Sequence, residues 1–89
     1  MVEYHVILKR FKGSTRPDVC IFSDEDMEVA LREMARYCKQ HGFTVQDRDG
    51  TYTIESIHLV AKERIVGAPV LSDIPWHELF DECGNRKPD

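Results

Sequence analysis

One stretch of this chain decides what the rest must do. Between Ser23 and Gly42, Met27, Ala30, Leu31, Met34 and Cys38 recur at three- and four-residue spacing, which lines them along one face of an α-helix. Ala35, Tyr37 and His41 flank that stripe, and Glu25, Glu28, Arg32, Glu33, Arg36 and Lys39 fall on the opposite face. Ser23 stands where an N-cap hydroxyl is needed, with Asp26 three residues on in capping-box position. The acids Asp24, Glu25, Asp26 and Glu28 suit the positive end of a helix dipole, and Gly42 supplies a C-cap. The pattern predicts a helix from about Asp24 to His41, with Glu28–Arg32 and Glu33–Arg36 side-chain pairs worth roughly 0.3 kcal/mol each. A single amphipathic helix cannot bury its own stripe, so the flanking sequence must supply a sheet.

The flanks read as strands. Glu3 to Phe11 is rich in β-branched and aromatic residues, with Tyr4, Val6 and Leu8 on one face and His5, Ile7 and Phe11 on the other. Lys12 to Pro17 is a polar loop punctuated by Gly13 and Pro17, and Val19 to Phe22 is short and apolar; together they predict a hairpin. After the helix, Phe43 to Asp47 and Tyr52 to Ala61 flank Asp49-Gly50, the signal for a two-residue hairpin turn. Pairing Arg48 with Thr51 would set Asp47 opposite Tyr52, Val45 opposite Ile54 and Phe43 opposite Ser56 on one apolar face. Past Ser56 the parity reverses, since Ile57 and Leu59 fall on the face that had been polar; this predicts a bulge or coverage on both sides by the C-terminal segment. In that segment Ser72 or Asp73 can cap a short helix opened by Pro75, with Trp76, Leu79, Phe80 and Cys83 as its stripe before Gly84.

The expected architecture is therefore α+β: a four-stranded sheet of two hairpins, one long helix between them and a short C-terminal helix, in the order ββαββα. In element order alone it resembles the β-grasp arrangement of ubiquitin-like domains with an added terminal helix, a likeness that carries no family motif and implies no activity. Residues 1–84 form the expected single domain and 85–89 a tail. With 89 residues, 42% of them hydrophobic and 31% charged, the composition excludes collagen-like and intrinsically disordered chains and leaves one thin core. About 64% of the unfolded surface can be buried at this size.

No residue pattern names a reaction. Cys38 and His41 have the spacing of half a zinc site without a second half, and Cys20, Cys38 and Cys83 all fit as small apolar side chains, so neither metal nor cofactor is expected. Three scattered cysteines and the absence of a signal-peptide pattern predict reduced thiols and a cytoplasmic chain. Asp47-Arg48-Asp49-Gly50 lacks the twelfth-position Glu of a calcium loop, because His58 stands there. His5, His41, His58 and His77 lie in four different elements, and a catalytic Cys or Ser would have to meet one of them in space.

Charge is more informative. The net charge is −4, and the acids gather at Asp24, Glu25 and Glu28 and again at Glu78, Asp81 and Glu82. Asp81 and Glu82 would sit at the C-terminal end of the second helix, where the dipole prefers bases. This predicts a non-enzymatic protein-interaction module, a regulator, inhibitor or accessory protein, working through an acidic surface toward a basic partner. The alternative is nucleic-acid binding through the basic hairpin tip, using Lys9, Arg10, Lys12, Arg16 and Arg48. A lesser alternative is a cysteine enzyme or thiol switch built on Cys38 and His41. No membrane partner is expected.

Overall fold

The computed structural model describes residues 1–48, 50–81 and 85–87, with Gln46 and Asp47 described by their backbone alone. Its elements are β1 (Val2–Lys9), β2 (Val19–Asp24), α1 (Met27–His41), β3 (Thr44–Asp47), β4 (Gly50–Thr53), β5 (Ser56–Glu63), β6 (Val70–Pro75) and α2 (Trp76–Leu79). An antiparallel sheet runs in the order β2-β1-β5-β6, and β3 and β4 form a separate two-stranded ribbon. The fold is α+β with a four-stranded sheet and two helices, as expected, but the strands are not those of the two expected hairpins. Six strands replace four, and both their order and the helix positions depart from the ββαββα, grasp-like arrangement.

The departure begins at Ile54 and Glu55, where a single strand from Tyr52 to Ala61 was expected. The Ile54 amide donates to the Phe43 carbonyl at 2.8 Å, still within the ribbon, whereas the next amide, Glu55, donates to the Lys9 carbonyl of β1 at 2.9 Å. The chain changes sheets between two adjacent residues. That change, rather than a bulge or double coverage, is why the apolar parity reverses past Ser56. Ile57, Leu59 and Ala61 then face the same side as Leu8, Val6 and Tyr4, their register partners on β1.

The ribbon register is also shifted from the expected one. Asp47 pairs with Gly50 and Val45 with Tyr52, and Asp49, expected in the turn, lies outside the described residues. A shift of one position in each strand preserves parity, so Phe43, Val45, Tyr52 and Ile54 still share a face. It also brings Ile54 to the end of the ribbon, where it is buried. Gly50 closes the loop at φ +128°, a conformation that side-chain-bearing residues rarely adopt.

β6 replaces the expected Ser72 or Asp73 cap. Leu59 pairs with Ile74 and Ala61 with Ser72, but Lys62 pairs with Val70, which leaves Leu71 as an extra residue on the edge strand. β2, at the other edge, carries a matching irregularity: Val6 pairs with Phe22 and Ile7 with Cys20, leaving Ile21 over. Helix α1 starts later than its acidic run suggests, because Ser23 and Asp24 are ladder partners of His5 and Tyr4. Asp26 is the N-cap instead, accepting from the Glu28 amide at 2.9 Å, while Asp24 accepts from the Asp26 amide at 2.8 Å.

The core lies between the sheet and α1. Val6, Leu8, Ala30, Leu31, Met34, Ile54, Ile57, Leu59 and Phe80 form it, with Tyr37, Cys38, Phe43, Trp76 and Leu79 packed around. Trp76 meets Phe43 with ring centroids 5.1 Å apart, so the ribbon and α2 close one end of the core together. The second helix stops at Leu79; Phe80 leaves it and forms an isolated bridge with Arg86. The Lys87 amide donates to the Leu79 carbonyl, and Arg86 reaches Glu28 of α1 at 3.3 Å. Cys83 and Gly84, expected on the second helix, lie outside the described residues. Among the described residues no helix is long and apolar enough to cross a membrane.

Candidate functional site

Alternation along β1 divides the sheet into two faces. Tyr4, Val6 and Leu8 point into the core, so Glu3, His5, Ile7 and Lys9 point the other way, toward a face to which α1 does not contribute. The antiparallel strands also give the sheet two ends of different chemistry. One end gathers the end of β5, the β5–β6 turn and the start of β6; the other gathers the end of β1, the start of β5 and the end of β6.

At the first end, the Ala68 amide donates to the Ile65 carbonyl at 3.0 Å and Gly67 has φ +82°, the pattern of a type II turn with Val66 at its apex. This turn holds four aliphatic side chains in water. Ile65 is 68% exposed, Val70 and Leu71 are each 55% exposed, and Val66 stands wholly in solvent. At the same end of the sheet, on the β1 and β2 side, a groove of about 310 Å³ is lined by Glu3, Ser23, Asp24, Glu25 and Arg64. Arg64 ties this rim together, contacting Glu3 at 3.1 Å and Glu25 at 3.0 Å.

The expected acidic residues therefore separate. Asp24 and Glu25 line the groove with Arg64, at the end of β2 and so at the sheet edge opposite β6, whereas Glu28 pairs with Arg86 of the C-terminal segment rather than with Arg32. Glu33 does pair with Arg36. Glu78 is exposed on α2, and Asp81 accepts from the Asn85 amide at 2.9 Å in the turn that follows; Glu82 lies outside the described residues. Asp81 sits beyond the end of α2, so the helix-end mismatch inferred for it from sequence does not arise. Four apolar side chains on one turn were missed by sequence reading, although Ile65-Val66 and Val70-Leu71 around Gly67-Ala68-Pro69 carried the signal.

Of the expected basic residues, Lys9, Arg10, Lys12 and Arg16 lie at the second end, largely engaged with neighbours, whereas Arg48 follows β3 of the ribbon. Arg16 stacks its guanidinium 3.6 Å from the centre of the Tyr52 ring and donates to the Tyr52 hydroxyl, with Arg10 5.9 Å from the same ring. Arg10 also donates to the Pro17 carbonyl, and Lys9 lies 3.7 Å from Asp18 and 3.6 Å from Asp73. Lys12 and Arg48 are exposed. Lys9, Arg10 and Lys12, with Glu55, Ser56, His58, Asp73, Trp76 and His77, line an open cleft of about 650 Å³.

Two polar triplets lie on the face away from α1. In the cleft, Ser56 Oγ is 2.5 Å from His58 Nε2, and His58 Nδ1 is 2.5 Å from Asp73 Oδ1. Further along the sheet, Cys20 Sγ is 3.5 Å from His5 Nδ1, and His5 Nε2 is 3.1 Å from Glu3. The Cys38 and His41 pairing considered from sequence is not brought together as a site. Cys38 is half-buried against the core, and burial raises its thiol above the ordinary value; His41 instead sits beside Tyr37, 4.8 Å between ring centroids. Among the described residues no group of three His, Cys, Asp or Glu side chains is arranged to hold a metal ion.

No protein-family model, curated protein or solved structure matches the chain.

Proposed function

We propose that the protein is a protein-interaction module that docks through the β5–β6 turn. The observation that carries this reading is the set of four exposed aliphatic side chains, Ile65, Val66, Val70 and Leu71, on one hairpin. Folding gains nothing from holding them in water, whereas each contributes roughly 1.5–3 kcal/mol when a partner buries it fully. A compact apolar cluster ringed by polar groups is the usual layout of an interface centre. The groove at the same end of the sheet holds Glu3, Asp24 and Glu25 against Arg64, while Lys62 stands beside Val70 as its register partner. The complementary partner is a protein with an apolar depression bordered by Lys and Arg. In this reading Asp24 and Glu25 lie at the docking end of the sheet, and Glu28, Glu78 and Asp81 are not part of the proposed surface.

The test is comparative capture from the native cells by the wild-type chain, by Val66→Asp with Leu71→Asp, and by Glu78→Lys. A protein retained by the wild type and by Glu78→Lys, but lost from the double variant, supports the reading. Capture that survives the double variant overturns it, as does retention of nucleic acid alone. Sedimentation of the purified chain accompanies the capture, because concentration-dependent dimerisation lost in the double variant would make the partner a second copy instead.

A further inference from the structure

We propose that Ser56, His58 and Asp73 form a nucleophilic site at the opposite end of the sheet, which takes acyl groups from small esters bearing a carboxylate. The site is independent of the docking turn. Ser56 and His58 are two residues apart on β5 and so share a face, and Asp73 reaches them diagonally from β6, where its register partner is Val60. Ionised Asp73 can only accept, so the proton on His58 lies on Nδ1, aimed at Asp73 Oδ1. That leaves the Nε2 lone pair facing Ser56 Oγ at 2.5 Å. Nucleophile, base and orienting carboxylate thus stand in the order that serine acyl transfer requires.

The surroundings supply the rest of the site. The cleft of about 650 Å³ falls within the roughly 300–1,000 Å³ of small-molecule sites. Its lining holds Lys9, Arg10 and Lys12 against Glu55 and Asp73, and Asp73 is already engaged by His58. Lys9 is paired with Asp18 and Asp73 and Arg10 is held by the Pro17 carbonyl, so the exposed Lys12 is the lining cation placed to meet an anionic substrate. Lys9 is the register partner of Ser56, so the two share a face, and its ammonium lies 3.6 Å from Asp73 and 3.7 Å from Asp18, which makes it the nearest lining cation along the strand to a charge developing at Ser56.

In the reaction, Ser56 Oγ bonds to the ester carbonyl carbon as its proton passes to His58 Nε2. The tetrahedral species then collapses, the ester C–O bond breaks, and His58 returns the proton to the leaving alkoxide. Water attacks the acyl-serine, giving a proton to Nε2. Collapse releases the carboxylic acid, and the proton returns to Ser56. Asp73 remains ionised throughout and acts as a positioning residue.

The intact chain is treated with a fluorophosphonate, and separately with the p-nitrophenyl esters of succinate and of acetate. The expected result is one covalent adduct mapped to Ser56, absent from Ser56→Ala and formed about 100-fold or more slowly in His58→Gln, the lower end of general-base contributions. Succinate should be turned over faster than acetate, and Lys12→Ala should narrow that preference. Asp73→Asn should slow adduct formation and shift its pH dependence in a variant that still melts as one folded species, a change in reactivity that a purely structural role would not require. The wild-type adduct depends on no variant folding, and melting curves check each variant. No adduct at Ser56 in the folded wild type, or a rate that His58→Gln leaves unchanged, overturns the proposal and leaves the three side chains as a network fastening β6 to β5. Equal rates for the two esters overturn the substrate class.

Discussion

The two ends of the sheet are made by the same strands, yet they treat water in opposite ways. At the β5–β6 turn, Ile65, Val66, Val70 and Leu71 are exposed although burial would favour them. At the other end, Ser56, His58, Asp73 and Lys9 satisfy one another, and Arg16 lies on Tyr52. The first end leaves a free energy of association unspent; the second has most of its polar capacity already committed within the chain. The contrast teaches that exposure alone does not mark a site. An apolar group gains from a partner that buries it, whereas a polar network that satisfies itself is already stable in the free chain.

The comparison breaks most sharply through the core beneath the two ends. Ile57, fully buried under the polar end, should lose about 2–5 kcal/mol on Ile57→Ala, while Val66→Ala at the apolar tip should stay within about 0.5 kcal/mol. Urea unfolding of the two variants measures both, and a comparable loss for Val66 would mean that the tip is part of the folding core. Next in size are the turns. Gly50→Val and Gly67→Val each force a β-branched residue to positive φ and should each cost about 1–3 kcal/mol. If only one destabilises, the two hairpins are not held by equivalent turns.

Smaller again is the pair that fastens the C-terminal segment to α1. A double-mutant cycle on Glu28 and Arg86 should return about 0.2–1 kcal/mol, shrinking in high salt. The smallest effect is a slope with pH. Burial raises the Cys38 thiol, and also the Tyr37 phenol, which donates to the Thr44 carbonyl. Folding favours the protonated forms, so this contribution is complete below the unfolded-state values and is lost as alkaline pH climbs through the raised folded ones. Melting temperature should fall on that side more gently in Cys38→Ala than in the wild type.

Much of the scaffold was legible because its signals are local. The stripe of α1, the hairpin of β1 and β2, and the shared face of Phe43, Val45, Tyr52 and Ile54 all follow from spacing within one or two elements. What escaped depended on partners distant in sequence. The sheet change between Ile54 and Glu55 is set by Lys9, and Ser23 joins β2 because His5 is beside it. β6 was hidden for another reason: Leu71, as an extra residue, interrupts the alternation that identifies a strand. Asp24 and Glu25 were found as acids, but their place in a groove with Arg64 requires β5 to return next to β1. Ser56 and His58 stand two residues apart in plain view, yet nothing in the sequence says that Asp73 crosses the strand gap to join them.

The extra residues in β2 and β6 bear on how the protein behaves in a crowd. Both outer strands of the sheet carry one, Ile21 on one side and Leu71 on the other. Each puts the outward amides and carbonyls out of step with those of an incoming straight strand, and on β6 the run ends at Pro75, which has no amide to offer. A neighbouring copy therefore finds no long template for fibre growth along either margin. The docking proposed for the greasy tip would then be a matter of side chains meeting side chains rather than of strand added to strand.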